Sequence, residues 1–373
     1  MKTAAGERAV DIVTDLRDAR SRWLAFEAAA ISTPFQSFLW ASALFETVGA
    51  ARGAEPYLVF VYEVRTRRDL MFAPFARRRV GPFRILEMVD FGVSDYSAPM
   101  VAPDIAAQPG ALVELWRTLL AALPTADAIR VNRVPLNSVF GKSSFLQITS
   151  AWPKVTRSWA VHLPSKWLEY ENGAITSKVR TRLRRGLKGM TSAGQTEYVI
   201  AQDTVEARKI FEALRAQRRI RFGKSDVLAA EEYRDFYWRV IERGLESGSS
   251  VLSAIKLDGD IIAAQFGLYA NEIYYNLLPA MSPTAPSNWS LGKVLVWLHM
   301  KEMHGRGCRI FDFTIGDEDY KRDFRAEPNE LFELACATRP QGIVFVMALQ
   351  ALAKFRRWRT RSKELPRVAA GGA

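Results

Sequence analysis

Three β-patterned runs, Val251–Leu257, Ile261–Tyr269 and Ile273–Pro279, are joined only by Asp258-Gly259-Asp260 and Asn271-Glu272, and this spacing constrains the fold more than any other feature. Turns this short leave no room for a crossover, so the strands must form an antiparallel meander. Two amphipathic helices precede it. Asp203 and Glu206 make a capping box for a helix with Ile210, Phe211 and Leu214 on one face, and Tyr233, Phe236, Tyr237, Val240 and Ile241 recur at helical spacing in the next. An apolar helix carrying Leu291, Val294, Leu295 and Leu298 on one stripe follows the meander, and a strand over Arg309–Thr314 follows that helix.

The earlier part of the chain repeats this order. Helical patterning over Thr14–Ala30 restarts at Thr33-Pro34 and runs to Gly49. Strands are expected at Tyr57–Val64, Leu70–Arg77 and Phe83–Val89, then the loop Phe91–Tyr96, a helix over Pro109–Leu123 and a strand over Ala128–Val134. The second part opens with a strand at Ser158–Leu163, a basic helix over Ser165–Met190 and a short strand at Thr196–Ile200. The order predicts an α/β (α+β) fold of two tandem domains, each a mixed, mostly antiparallel sheet flanked by helices. The expected divisions are 1–150, 151–340 and a tail over 341–373. Residue identity between the halves is too low to prove the tandem duplication that their order suggests.

Length and composition fit two globular domains, with 373 residues, 49% hydrophobic and 25% charged. Met1–Val10 lacks the apolar core of a secretory signal, and the longest apolar run, Ile343–Ala353, is too short to span a bilayer, so a cytoplasmic protein is expected. Cys308 and Cys336 make neither a disulfide framework nor a zinc spacing and read as ordinary buried thiols. The net charge of +12 is confined to two stretches. One holds Lys178, Arg180, Arg182, Arg184, Arg185 and Lys188; the other runs from Lys354 to Arg367. Charge so localised argues against a broad nucleic-acid footprint, and DNA is not expected as a partner. His299 and His304 are five residues apart, about 140° around a helix, so no metal pair is expected.

Two segments can carry chemistry. Asp312-Phe313-Thr314-Ile315-Gly316-Asp317-Glu318-Asp319-Tyr320-Lys321 takes an apolar strand straight into groups that exchange protons. Upstream, Trp289-Ser290-Leu291-Gly292-Lys293 opens a helix with a serine, a glycine and a lysine, suited to a phosphate. Together they suggest group transfer from a phosphate-bearing donor. The plain alternatives are that Ser290 merely caps a core helix, Asp312 ends a strand, Asp317–Asp319 is a solvated loop and Tyr320 packs its ring.

These elements resemble the GNAT-type acyltransferases, and more closely their CelD-like branch, associated with cellulose and other exopolysaccharide production. The resemblance covers nearly the whole chain. It rests on Pro34-Phe35-Gln36 with Trp40, Asp95-Tyr96 before Pro99, the basic helix around Arg182–Arg185, Asp258-Gly259 with Ala263-Ala264, Ser290-Leu291-Gly292, and Asp312-Phe313 followed by Gly316, Glu318 and Tyr320-Lys321. Tyr320-Lys321-Arg322-Asp323-Phe324 also resembles the closing motif of the Fem-type peptidoglycan aminoacyltransferases, which are built from two such domains. Of the usual glycine-rich acyl-CoA signature only Gly292 is evident.

The resemblance implies a degenerate GNAT-like first domain and an acyltransferase second domain that takes acetyl-CoA or another acyl-CoA, without a metal, and passes the acyl group to a sugar or amine. Ser290, Leu291, Gly292 and Lys293 would hold the donor. Glu318 or Asp312 would act as base and Tyr320 as acid, with Lys321 orienting an anionic acceptor or lowering the tyrosine pKa. Asp95, Tyr96, Gln217, Arg218 and Arg221 are candidates for the acceptor side. Two other readings stand beside this one: a Fem-type enzyme using aminoacyl-tRNA, for which the basic helix would be needed, and a silent scaffold of a membrane polysaccharide synthase. The tail, with Ile343, Val344, Phe345, Met347, Leu349, Leu352, Phe355 and Trp358 ahead of its arginines, reads either as a basic amphipathic helix for peripheral contact with the inner face of an anionic membrane or as a helix docked on its domain.

Overall fold

The computed structural model describes residues 7–123, 126–136, 138 and 152–364, which form two compact units. The first takes the described parts of Met1–Ser32, Gly53–Arg157 and Glu330–Ala373; the second takes Thr33–Arg52 and Ser158–Asn329. Each unit is built from separated segments, and the chain passes between them at Ser32/Thr33, Arg52/Gly53, Arg157/Ser158 and Asn329/Glu330.

In the first unit, β1 (Arg8–Val13), β2 (Glu55–Glu63), β3 (Asp69–Val80) and β4 (Phe83–Met88) pair antiparallel in that order. The short β5 (Met100–Val101) pairs with β3. β6 (Ala128–Pro135) runs parallel to β4, and helix Pro109–Ala121 supplies the crossover a parallel pair needs. β13 (Glu327–Ala337) then pairs antiparallel with β6. Sequence pattern missed β13 because it holds Pro328 and three glutamates and lacks any β-branched residue. Its partners override that composition: Glu333 accepts from Arg130 Nε at 2.6 Å and from Lys154 Nζ at 2.9 Å.

The second unit repeats the plan. β7 (Trp152–His162, in this unit from Ser158 onward), β8 (Thr196–Ile200), β9 (Ser250–Leu257), β10 (Asp260–Ala270), β11 (Ile273–Met281) and β12 (Ile310–Ile315) follow in the chain. β8 to β11 pair antiparallel, β11 and β12 pair in parallel across helix Leu291–Gly305, and β7 closes antiparallel on β12. Both meander turns place their two central residues at positive φ, Asp258 at 51° and Gly259 at 88°, Asn271 at 51° and Glu272 at 61°. That is the type I′ geometry matching strand twist.

Thr33–Arg52 joins this unit because its apolar face finds partners there. Trp40 is fully buried with its ring edge-on to Phe236 at 4.7 Å, and Phe35 lies 5.8 Å from Tyr275. Glu46 accepts from both Arg239 and Arg243 at 2.7 Å.

The basic helix spans Ser177–Ala193 and starts later than its pattern suggested, at the Thr176 cap. A side chain at Gly186 would lie 2.0 Å from the Trp289 carbonyl oxygen, and one at Gly189 2.8 Å from the Trp289 ring. These two glycines let the Ser287–Trp289 turn, which feeds helix Leu291–Gly305, seat against the basic helix.

Among the described residues no cluster of His, Cys, Asp and Glu could hold a metal ion, and no helix is long and apolar enough to cross a membrane. His304 Nε2 lies 2.8 Å from the Pro164 carbonyl, whereas His299 is fully buried with Nδ1 2.7 Å from the Tyr198 hydroxyl. Burial, with a smaller contribution from Arg306, lowers the His299 pKa to about 3. The unfolded chain therefore binds a proton here below its ordinary value of about 6.5 while the folded chain does not. Stability is expected to fall as pH drops from about 6.5 toward 3, by up to about 1.4 kcal/mol per unit. Urea unfolding at neutral and mildly acidic pH tests this, since His299→Gln should flatten the dependence; an unchanged slope would refute it.

Candidate functional site

β11 and β12 pair only as far as Tyr275 and Asp312. Beyond that point the two strands part, and Asn276, Leu277, Pro279–Met281 and Phe313–Ile315 line a cavity of about 590 Å³, together with the start of helix Leu291–Gly305 and Arg218, Arg221, Phe222, Glu318, Tyr320 and Lys321. The divergence is built into β12. The Asp312 carboxylate accepts the Thr314 N–H at 2.7 Å, and the β7 pairing slips between these residues. Thr314 is held at φ 57°, an uncommon state for a β-branched residue, and its hydroxyl donates to the Asn276 carbonyl at 3.0 Å. Asp312 therefore shapes the bend and does not line the cavity.

Lys321 has a single visible task. It is 2% exposed, and Nζ donates to the carbonyls of Thr314, Ile315 and Gly316 at 3.3, 3.0 and 2.9 Å. It also pairs with Glu318 at 3.0 Å. Its donors are committed to the turn, so it is not available to orient an acceptor. Nor is Tyr320 made more acidic: burial first, then the nearby Glu318 carboxylate, raises its pKa well above the ordinary tyrosine value. The ring lies edge-on to Phe313 at 5.9 Å. Glu318 folds back over Gly316, whose φ of 117° suits glycine and whose missing side chain would sit 2.5 Å from Glu318 Oε2.

Across the cavity, Ser290 enters helix Leu291–Gly305 in the left-handed conformation, φ 49°, and its hydroxyl makes no cap. Helices beginning at Leu16, Phe38, Ser177 and Thr204 all have side-chain caps. The first-turn N–H groups of Leu291 and Gly292 thus have neither an intrahelical acceptor nor the Ser290 cap. Lys293 is neutralised by Asp323 at 2.6 Å. The space above Gly292 holds the flexible tip of Met281, 2.5 Å from where a side chain would start. So the anion-binding capacity of this terminus lies in its backbone and dipole more than in Lys293.

On the remaining wall, Arg218 pairs with Asp226 at 2.8 Å and donates to the Pro279 carbonyl at 3.0 Å, while Arg221 is exposed with its guanidinium 4.9 Å from the Phe222 ring. Gln217 is buried, donates to the Ile261 carbonyl at 2.8 Å and is absent from the lining. Asp95 and Tyr96 are buried in the first unit, Asp95 lying 3.8 Å from Arg133. Sequence reading overlooked Asn276. It is 3% exposed, lines the cavity, and its Oδ1 has no hydrogen-bond partner. One polar residue inside Tyr274-Tyr275-Asn276-Leu277-Leu278 was the available signal.

Residues 177–322 match a family described as acetyltransferase (GNAT) domain, and every cavity-lining residue falls within that stretch. No curated protein matches the chain. Among solved structures, the chain is similar to FemX, with a TM-score of 0.61 and 13% identity over 88% of this chain and 96% of that one. It is similar to the C-terminal domain of a lysylphosphatidylglycerol synthetase described as putative from Agrobacterium fabrum, with a TM-score of 0.54 and 13% identity over 90% and 95% of the two chains. A tandem GNAT protein from the clavulanic acid pathway aligns with a TM-score of 0.50 and 11% identity over 90% and 99%. Residues 177–322 thus carry a GNAT acetyltransferase domain, and the protein is an acyltransferase built on the fold of tandem GNAT proteins.

Proposed function

We propose that the second unit transfers an acyl group, acetyl in the first instance, from acyl-CoA to a sugar hydroxyl or amine in exopolysaccharide or cell-envelope synthesis, as a CelD-like enzyme of the cytoplasm. GNAT domains use acyl-CoA as co-substrate. The observation that carries the proposal is the uncapped start of helix Leu291–Gly305 opening into the cavity that Tyr320 and Glu318 also line. The donor pyrophosphate would take the N–H groups of Leu291 and Gly292 and the Ser290 hydroxyl. Acyl transfer forms a bond between the acceptor O or N and the thioester carbon and breaks the C–S bond. Glu318 takes the acceptor's proton, Tyr320 supplies one to the departing sulfur, and Tyr320 recovers it from Glu318 through solvent. Arg221 suits an acceptor bearing negative charge.

Calorimetric titration of acetyl-CoA and a longer acyl-CoA tests the donor site. Wild type should bind, and Gly292→Trp, which fills the approach to the helix start, should weaken binding at least about ten-fold, or about 1.4 kcal/mol. Wild type that binds neither thioester would refute the reading. A second reading, a Fem-type transferase using aminoacyl-tRNA, is favoured by the fold shared with FemX and by Lys178, Arg182, Arg185 and Lys188, all exposed on the basic helix. RNA that co-purifies and is released by salt would favour it.

A further inference from the structure

The helix Pro340–Glu364 is fastened by one face, and its first turns expose apolar side chains on the other. Asp127 holds its start: its carbonyl accepts from Thr338 N at 2.9 Å and its carboxylate from Gln341 Nε2 at 2.7 Å and Arg84 N at 2.8 Å. Gly342 sits so close that an added side chain would lie 1.8 Å from the Asp127 oxygen. Phe345 is 8% exposed and packs with Ile85 and Ala128, with Phe83, Val346 and Leu349 around it. The opposite face carries Ile343, Val344 and Met347, which are 52%, 61% and 63% exposed, with the exposed Ala348 and Ala351 beside them. Residues 343, 347 and 351 succeed one another at four-residue steps, and 344 and 348 run beside them, so these positions make one stripe. A contiguous apolar stripe on an otherwise ordinary surface calls for a partner.

The chain next to the stripe limits what that partner can be. Lys354, Arg356, Arg357, Arg359, Arg361 and Lys363 follow within ten residues with no acid among them. Trp358 and the side chains from Arg356 onward lie outside the described side chains, so their charge is read from sequence alone. A second copy would offer the stripe another apolar face but would add a second cationic run. A bilayer containing anionic lipid offers hydrocarbon to the stripe and negative headgroups to the cations.

We infer that this helix is a docking surface for an anionic phospholipid membrane, with Ile343, Val344 and Met347 entering the interface and the basic run held at the headgroups. The apolar residues give reversible attachment, and the cations select charged membranes and make attachment sensitive to salt. This inference does not depend on the identity of the acyl donor or acceptor.

Flotation of the full chain with phosphatidylcholine vesicles, with and without phosphatidylglycerol, tests it. Wild type should float with the anionic vesicles, lose binding as salt rises and stay unbound to the neutral ones. A triple variant, Ile343→Ser with Val344→Ser and Met347→Ser, should bind at least about ten-fold less with an unchanged melting temperature. A second variant, Arg356→Gln with Arg357→Gln, leaves the stripe untouched and should lose the preference for anionic vesicles. Absence of binding to phosphatidylglycerol vesicles would overturn the inference, as would undiminished binding by both variants. Loss of a wild-type dimer in the triple variant, without wild-type vesicle binding, would assign the stripe to a second copy.

Discussion

Lys321→Met is expected to destabilise the second unit by about 3–5 kcal/mol, the scale for removing one partner of a buried charged network. Magnitudes separate its contacts. Glu318 is 58% exposed, so the Lys321–Glu318 pair contributes at most about 1 kcal/mol. The three carbonyls are different: a buried ammonium satisfies Thr314, Ile315 and Gly316 together, and each such bond to a charged donor is worth about 1.5–3 kcal/mol. Methionine keeps most of the stem and removes only the donors. Urea denaturation with parallel near-ultraviolet and fluorescence detection measures the change. A loss below about 1 kcal/mol would mean that water takes the carbonyls over and that the lysine does not hold the turn.

Tyr320→Phe is expected to lower kcat by about 10²–10⁴-fold, the range for a positioned acid, while the KM for acyl-CoA stays within a few-fold. Glu318→Gln should fall comparably if it is the base. The pH profile separates an acid from a packing residue. Burial raises the Tyr320 pKa, so its proton-bearing form persists above the ordinary value. Activity that depends on that proton should therefore persist on the alkaline side beyond about pH 10, where an exposed tyrosine would be half ionised. Tyr320→Phe retaining half of wild-type kcat would remove the tyrosine from the chemistry, whatever its effect on stability.

Much of this arrangement was legible from local rules. The meander turns were evident because two-residue loops admit few conformations, and the capping residue Asp203 does accept the Glu206 N–H at 2.8 Å. Of the candidate site residues, Ser290–Lys293, Glu318, Tyr320, Lys321 and Arg218 line one cavity, whereas Asp312, Gln217, Asp95 and Tyr96 are not among its lining residues. What escaped depended on distant pairing. β13 is a strand only because β6 and Lys154 await it, and nothing local in Thr33–Arg52 shows that Phe236 and Tyr275 are its neighbours. Side-chain roles were the least legible. Lys321 reads as a charge offered to a ligand, yet three backbone carbonyls absorb it, and Asn276 disappears among aromatic and aliphatic neighbours until its unmet oxygen is seen.

The interleaved segments set an order of events at the ribosome. Thr33–Arg52 emerges long before Phe236 and Tyr275, which cover Trp40 and Phe35, so an aromatic surface must wait through the synthesis of most of the first unit. The β6 edge in turn stays unpaired until β13 emerges, after the whole second unit. Neither unit can finish from a contiguous nascent stretch, so chain closure couples them in time, and a ribosome stalled before residue 327 exposes an open strand edge to aggregation.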